Sequence, residues 1–397
     1  MPSTLKAWSR CARRWLAIAA FLLSAVLAWP ATQAQAAGDL APLLEKIRST
    51  HDVPALAAII VDGTRISALG VTGQRRMGEP TPVDLDDRWH LGAVGKPLTA
   101  TLAARLVDRG IVTFDTTLED AFGVLVPEMH AAYKSVTLSD LLAHRSGLAS
   151  ELTKLPIWNA DLWLGAEPAH EARLRVTRAL LAQSPETRPG HTFNYSDAGY
   201  IVAGVMLERM AGEPFEALLT KEVMVPLGMH KTGFGAPGEA TKAQPPREPW
   251  GHHDGPGGRI PIEPDVAGDN PPAFAPAGTM HASLRDMASF LAAHLAGARG
   301  QGWLLKQESF DHLYTAPAGQ EYALGWVTAI NPGAGGLALS HAGTNLNWYA
   351  VAWLFPGWNI AVFVATNQGG PSGFAAIEEA VAEAVTFAKE RIPGVGN

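Results

Sequence analysis

Cysteine is nearly absent. The chain of 397 residues holds one, Cys11, near its start. The rest can form no disulfide, offers no thiol nucleophile and has no cysteine-based metal site. Charge is also scarce, at 17% Asp, Glu, Lys and Arg, while hydrophobic residues make up 47%. That balance suits a large buried core and is not that of a membrane protein. The apolar run 15–28 is too short to span a bilayer comfortably. Basic blocks, low-complexity tracts and internal repeats are all missing, which argues against nucleic acid as a partner and against a repeat fold.

What is present begins with a leader. Lys6, Arg10, Arg13 and Arg14 precede the apolar run, and Pro30 and the small-residue stretch Ala34-Gln35-Ala36 follow it. This is the pattern of a secretory signal over 1–36, with cleavage after Ala36 or Ala37. Export by the general route is the expectation. Arg13-Arg14 also allows twin-arginine export, and an uncleaved anchor is a minority reading. Cys11 lacks the small-residue context of a lipoprotein signal. The leader takes four of the 31 Lys and Arg and none of the 38 Asp and Glu. The remaining 27 bases face 38 acids, a net charge of about −11. A periplasmic or secreted, acidic, disulfide-free protein is expected.

Period-3.6 spacing of Leu40, Leu43, Leu44 and Ile47 predicts a helix over 39–50. Two strand-like runs, 55–61 and 65–71, meet at Asp62-Gly63, a hairpin signal. A helix follows Lys96, with Leu98, Leu102 and Leu106 on one face and Gly110 at its stop. Helical stretches are expected over 138–142, 169–183, 198–211, 215–222 and 283–297, with a Pro- and Gly-rich loop over 235–278. Strands follow over 323–330, 336–341, 349–355 and 360–366, then a helix over about 373–390. The order predicts an α/β (α+β) fold in which both chain ends build one antiparallel sheet. Residues 37–397 then form one domain, with a sheet subdomain over about 37–95 and 275–397 and a helical subdomain over about 96–274.

Three segments carry chemistry together: His90-Leu91-Gly92-Ala93-Val94-Gly95-Lys96, Asn194-Tyr195-Ser196-Asp197 with its flanks, and Ser340-His341-Ala342-Gly343-Thr344-Asn345. They resemble the three motifs of the serine β-lactamase and penicillin-binding superfamily: Ser-x-x-Lys, Tyr-x-Asn, and Lys-Thr-Gly or His-x-Gly. The likeness is nearest to class C β-lactamases, D,D-carboxypeptidases and related esterases. Leu141-Leu142-Ala143-His144-Arg145-Ser146-Gly147-Leu148, Pro226-Leu227-Gly228-Met229, Pro276-Ala277-Gly278, Leu324-Gly325-Trp326 and Thr366-Asn367 match in family order. The resemblance covers most of 40–390. It implies a fold of antiparallel sheet flanked by helices plus a helical subdomain. It also implies hydrolysis of an ester, amide or D-amino-acid peptide through an acyl-enzyme, with no cofactor or metal. Carried over, Lys96 and Tyr195 become the acid/base pair and His341 replaces the strand lysine. The N–H groups of Ala93 and Thr344 form the oxyanion hole, and Asp197, Gly343, Asn345 and His281 contact substrate. His281 is equally readable as a satisfied buried histidine.

The sequence departs from this pattern twice. Ala93 stands where the nucleophilic serine belongs, and Asp197 stands where asparagine is usual. A methyl group forms no acyl-enzyme, and loss of such a nucleophile costs on the order of 10⁶ in turnover. An ionised Asp197 donates no hydrogen bond and can instead hold Lys96 charged. No Gly-x-Ser-x-Gly elbow supplies another serine. Ser146 and Ser196 read as structural, Lys231-Thr232-Gly233 as a loop decoy, and His252-His253-Asp254 as a surface or cleft-edge loop rather than a metal site. Two functions follow: a serine hydrolase, impaired as given, for a small-molecule or peptidoglycan-like substrate, or a non-catalytic exported protein that binds cell-wall fragments or acyl compounds. Water activated directly by Tyr195 or Lys96 is a third, less favoured, possibility.

Overall fold

The computed structural model describes residues 38–396 apart from 166, 239–244, 266 and 267, so the expected leader lies outside the described residues. Twelve strands are described: β1 (Gly38–Asp39), β2 (Ala55–Asp62), β3 (Arg65–Gly73), β4 (Arg88–His90), β5 (Gly233–Phe234), β6 (Gly251–Gly255), β7 (Gly258–Ile262), β8 (Met280–Ser283), β9 (Val327–Asn331), β10 (Gly336–Thr344), β11 (Tyr349–Phe355) and β12 (Ile360–Thr366). The main sheet runs β1-β3-β2-β12-β11-β10-β9. All its pairs are antiparallel except β1 with β3. Strands from the two ends of the domain meet at β2 and β12, as the strand-rich termini of the sequence predict.

Both faces of this sheet are covered, which is why β2 and β12 read as near-continuous apolar runs. Ala55, Ala57, Ile59 and Val61 point to one core with Ala361, Phe363 and Ala365. Leu56, Ala58 and Ile60 point to the other with Ile360, Val362 and Val364. The second core is closed by helices α1 (Ala41–His51) and α7 (Gly370–Arg391). The first is larger and takes in α2 (Gly95–Asp108), α3 (Ala169–Leu181), α4 (Asp197–Ala211), α5 (Leu284–Ala298) and α6 (Gln307–Tyr314). The result is a mixed α/β fold with helices on both sheet faces. Among the described residues no helix is long and apolar enough to cross a membrane.

Two local readings change. The stretch 235–278 is not all loop: β6 and β7 pair as a hairpin, and 3₁₀ and α turns follow at Pro272–Phe274 and Ala275–Gly278. The strand expected from 323 starts at Val327, because Gly325 sits at φ +80° and Ala323 N–H donates to Trp326 O at 2.8 Å. Helix α6 carried no expectation.

Candidate active-site cleft

Two glycine contacts place the turn that carries Ala93. Residues Gly92–Val94 form a 3₁₀ turn leading straight into α2. Gly92 has φ +49°, and a Cβ there would stand 2.4 Å from Thr344 N. A Cβ on Gly343 would stand 2.3 Å from Ala93 N and 2.3 Å from Leu91 O. Only glycine at both positions lets β10 lie directly on this turn. The close approach brings the backbone of Ala93 and Thr344 to one edge of the cleft.

The turn is also pinned from behind. Gly92 N–H donates to His90 Nδ1 at 3.0 Å, so the proton on the ring sits on Nε2, which donates to Asp269 at 2.9 Å. Asn345 Nδ2 donates to the same carboxylate at 3.0 Å, and Trp348 stacks on the His90 ring at 5.3 Å. His90 opens the first motif segment and Asp269 heads a stretch, 269–281, that resembles a cleft-lining loop of the family's esterase branch, but their pairing was not foreseen from the sequence. They are 1% and 7% exposed, and no periodicity or spacing in the sequence signals that they meet.

One helical turn after Ala93, the Lys96 side chain faces the same cleft. Its ammonium donates to Asp197 Oδ1 at 2.6 Å and to Ala277 O at 2.9 Å. The rings of Tyr195 and Tyr200 lie 5.0 and 5.5 Å from it. Burial is the largest influence on Lys96 and pulls its pKa down; the charge of Asp197, then Tyr195, outweighs it, and the net shift is upward. Burial likewise pushes the Tyr195 phenol above its ordinary value, partly offset by the Lys96 charge.

A cleft of about 540 Å³ joins these groups. Ala93, Lys96, Tyr195 and Asp197 line one side with Ala277 and Gly278; Ala342, Gly343, Thr344 and Asn345 line the strand side. Ser150, Glu151, Leu152, Trp158 and Phe274 form an outer wall; the first four were not assigned from the sequence, whereas Phe274 falls in the stretch 269–281 that resembles a cleft-lining loop of the family's esterase branch. Ser150 donates its hydroxyl to Glu186 at 3.0 Å. Burial raises the Glu186 pKa, yet the bonds from Ser150 and Asn194 bring it below the usual carboxylate range, which makes Glu186 a poor base for activating that serine.

His341 does not line the cleft. It is 4% exposed. Its Nδ1–H donates to Ala342 O at 2.8 Å, so Nε2 accepts from the Tyr322 hydroxyl at 2.9 Å. Burial, and then the Lys96 charge, push its pKa down to about 3. It stands as a neutral prop behind the lining residues, and Tyr322 is its unforeseen partner. His281 also lies away from the cleft. Its Nδ1 donates to Gly235 O at 2.9 Å, and its ring packs beside Arg88 in the small sheet β4-β8-β5. Of the two readings of His281, the satisfied buried histidine is the one this placement fits.

The remaining sequence candidates go elsewhere. Ser146 and Ser196 are each 1% exposed and are absent from the cleft lining. Lys231 reaches Asp86 at 3.2 Å, and Thr232 donates to Asp286 at 2.8 Å. His252 is buried between Met77 N and Asn367 O, His253 faces Asn347, and Asp254 faces Arg259. Among the described residues no cluster of His, Cys, Asp and Glu is arranged to hold a metal ion.

The fold and this cleft define the class shared by penicillin-binding proteins and class C β-lactamases. The beta-lactamase family profile matches residues 40–386, so the chain belongs to that β-lactamase-like serine hydrolase family. Penicillin-binding protein 4 of Amycolatopsis lactamdurans is 28% identical over 190 residues, 47% of this chain and 46% of that protein. Esterase EstB of Burkholderia gladioli is 31% identical over 179 residues, 44% of each chain. The match thus spans less than half the length of either relative. The octameric penicillin-binding protein homologue from Pyrococcus abyssi superposes with a TM-score of 0.68 at 20% identity, over 87% of this chain and 76% of that one. That last likeness shows the fold.

Proposed function

We propose that this chain is an exported member of the family whose cleft is built for acyl transfer from an ester, amide or D-amino-acid peptide, and whose covalent step is disabled by Ala93. The observation that carries this reading is the company the Ala93 methyl keeps: Lys96 and Tyr195 on one side, the Thr344 backbone on the other, all lining one cleft. With serine at this position, Lys96 or Tyr195 would take the hydroxyl proton, the oxygen would attack the acyl carbon, and the N–H groups of residues 93 and 344 would hold the oxyanion. With alanine no oxygen is there to attack. The cleft then binds an acyl ligand and leaves it intact.

The test uses the protein as given and its Ala93→Ser variant, each incubated with a chromogenic short-chain ester and a fluorescent penicillin. Turnover or labelling confined to the variant supports the reading. Equal activity in both forms would remove Ala93 from the chemistry. Cell fractionation with N-terminal sequencing of the product checks export, for which the expected outcome is loss of the first 36 or 37 residues.

A second reading, a non-catalytic binding protein, is favoured by the 2.6 Å Lys96–Asp197 pair. That pair holds the lysine charged and so removes it as a base. Silence of both forms toward ester and penicillin, with ligand binding retained, would select it.

A further inference from the structure

We infer that the cleft takes an uncharged acyl ligand and turns away one that carries a carboxylate beside the acyl group. The inference narrows the substrate class of the function proposed above and rests on that reading.

The charges that face the cleft are few and one-sided. Among the described lining residues Lys96 is the one cation. Its side chain is 1% exposed, and its ammonium is already committed to Asp197 and the Ala277 carbonyl. Two carboxylates, Asp197 and Glu151, line the same space. Asp197 is partly open to solvent, at 33%. Glu151 pairs with Lys154 at 2.7 Å, but that lysine is 73% exposed and stands outside the lining. A pair so exposed is weak and easily screened. The partial positive charge at the start of α2 lies at the Ala93 turn, where it serves the acyl oxygen and not a second anion.

Among the described residues the other walls offer no replacement cation. Trp158 and Phe274 meet edge to face at 5.6 Å on the outer wall. The strand wall presents Ala342, an exposed position on β10 that carries only a methyl group. The Thr344 hydroxyl and Asn345 amide in the lining already donate to Trp348 O and Asp269. A ligand carboxylate entering here would meet like charge, with no ammonium or guanidinium free to receive it among the described lining residues. An amide or ester of the same shape has neither penalty.

Equilibrium binding to the unaltered protein tests this with a matched pair of probes, N-acetyl-D-alanyl-D-alanine and its C-terminal amide. The two differ in one charge and hardly in size. The amide is expected to bind at least ~10-fold more tightly at low salt, with the gap shrinking as ionic strength rises to about 1 M. The Ala342→Lys variant, which supplies the missing cation, is expected to narrow or reverse the gap. Tighter or equal binding of the acid, or an unchanged gap in Ala342→Lys, overturns the inference and leaves the acyl-ligand reading standing. Failure of both probes to bind also overturns it; ester hydrolysis by Ala93→Ser then judges the underlying function separately.

Discussion

Lys96 and Asp197, 101 positions apart in the chain, meet at 2.6 Å at the floor of the cleft, one buried and the other partly open. Against the pull of burial the carboxylate, with Tyr195, raises the lysine pKa and favours its charged form. Asp197 occupies the first position of α4, where a carboxylate also favours the helix N-terminus. The helix start thus favours the same carboxylate that favours a charged Lys96.

The first prediction concerns this pair. In the Ala93→Ser variant, adding Asp197→Asn removes the charge that outweighs burial at Lys96, so the lysine loses its proton more readily. A neutral lysine is the active base, and activity climbs as pH rises through its pKa. The added change should therefore move the climb to lower pH and raise kcat/KM at pH 7 on the order of tenfold. A pH–rate profile from pH 6 to 10 in both backgrounds checks it. Profiles that superimpose would show that Asp197 does not govern the base.

A second prediction follows from the glycine at the strand edge. Gly343→Ala would place a Cβ 2.3 Å from Ala93 N and 2.5 Å from Val94 N, all backbone that cannot rotate away. The strand must lift off the turn, at a cost of about 1–3 kcal/mol, and ligand binding should weaken with it. Gly257→Ala in the β6–β7 turn is the control: no atom lies within 4 Å of its Cβ and its φ is not in the left-handed region. Thermal unfolding of the two variants should separate them clearly. Similar melting temperatures would mean that β10 does not press on the Ala93 turn.

Much of this arrangement was legible in the sequence, for reasons that differ by element. β11 and β12 were readable to the residue because a sheet covered on both faces demands unbroken apolar runs, and Pro356-Gly357 ends one of them. The cleft was readable through the resemblance of its three motifs to those of the β-lactamase family, which implied that Ala93, Lys96, Tyr195 and Asp197 share one site. The hairpin β6–β7 was not: His252, His253 and Asp254 bond to Met77, Asn367, Asn347 and Arg259, and such tertiary partners leave no periodicity. His341 was placed in the cleft by its motif, but motif spacing does not say which way a strand residue packs. Its tie to Tyr322 decides that.

A third prediction concerns acid. His252 and His281 have pKa values pushed down to about 4, and His294 and His341 to about 3, burial being the main cause in each. The unfolded chain takes up these protons near pH 6.5 and the folded chain does not. Folded values below unfolded ones mean that stability is full above pH 6.5 and falls as pH drops toward 4. Each histidine contributes a slope approaching roughly 1.4 kcal/mol per pH unit in that window. Denaturant midpoints at pH 7.5, 6, 5 and 4.5 should decline steadily. A flat response would mean that these rings gain protons in the folded state.

The last prediction tests what holds the outer wall. Arg173 on α3 is fully buried and binds three partners: its Nη atoms reach Glu208 and Glu216, and its Nε donates to Ala273 O at 3.0 Å. Ala273 is the neighbour of Phe274 in the cleft, so the guanidinium connects the helical layer to the wall on which a ligand would rest. Arg173→Met keeps much of the volume but strands the Glu208 carboxylate, whose pKa burial already raises. Breaking such a buried pair from one side costs about 3–5 kcal/mol. Glu216→Gln, at a carboxylate 27% exposed, should cost far less, because water replaces the lost charge. Adding Glu208→Leu to Arg173→Met removes the stranded group and should recover part of the loss. Chemical denaturation of the three variants reads the stability. Ligand affinity measured well below each unfolding midpoint reads the wall: it should fall in Arg173→Met and stay low in the double variant, since the Ala273 carbonyl remains unheld. Full recovery of affinity in the double variant would show that Arg173 stabilises the helices without setting the cleft.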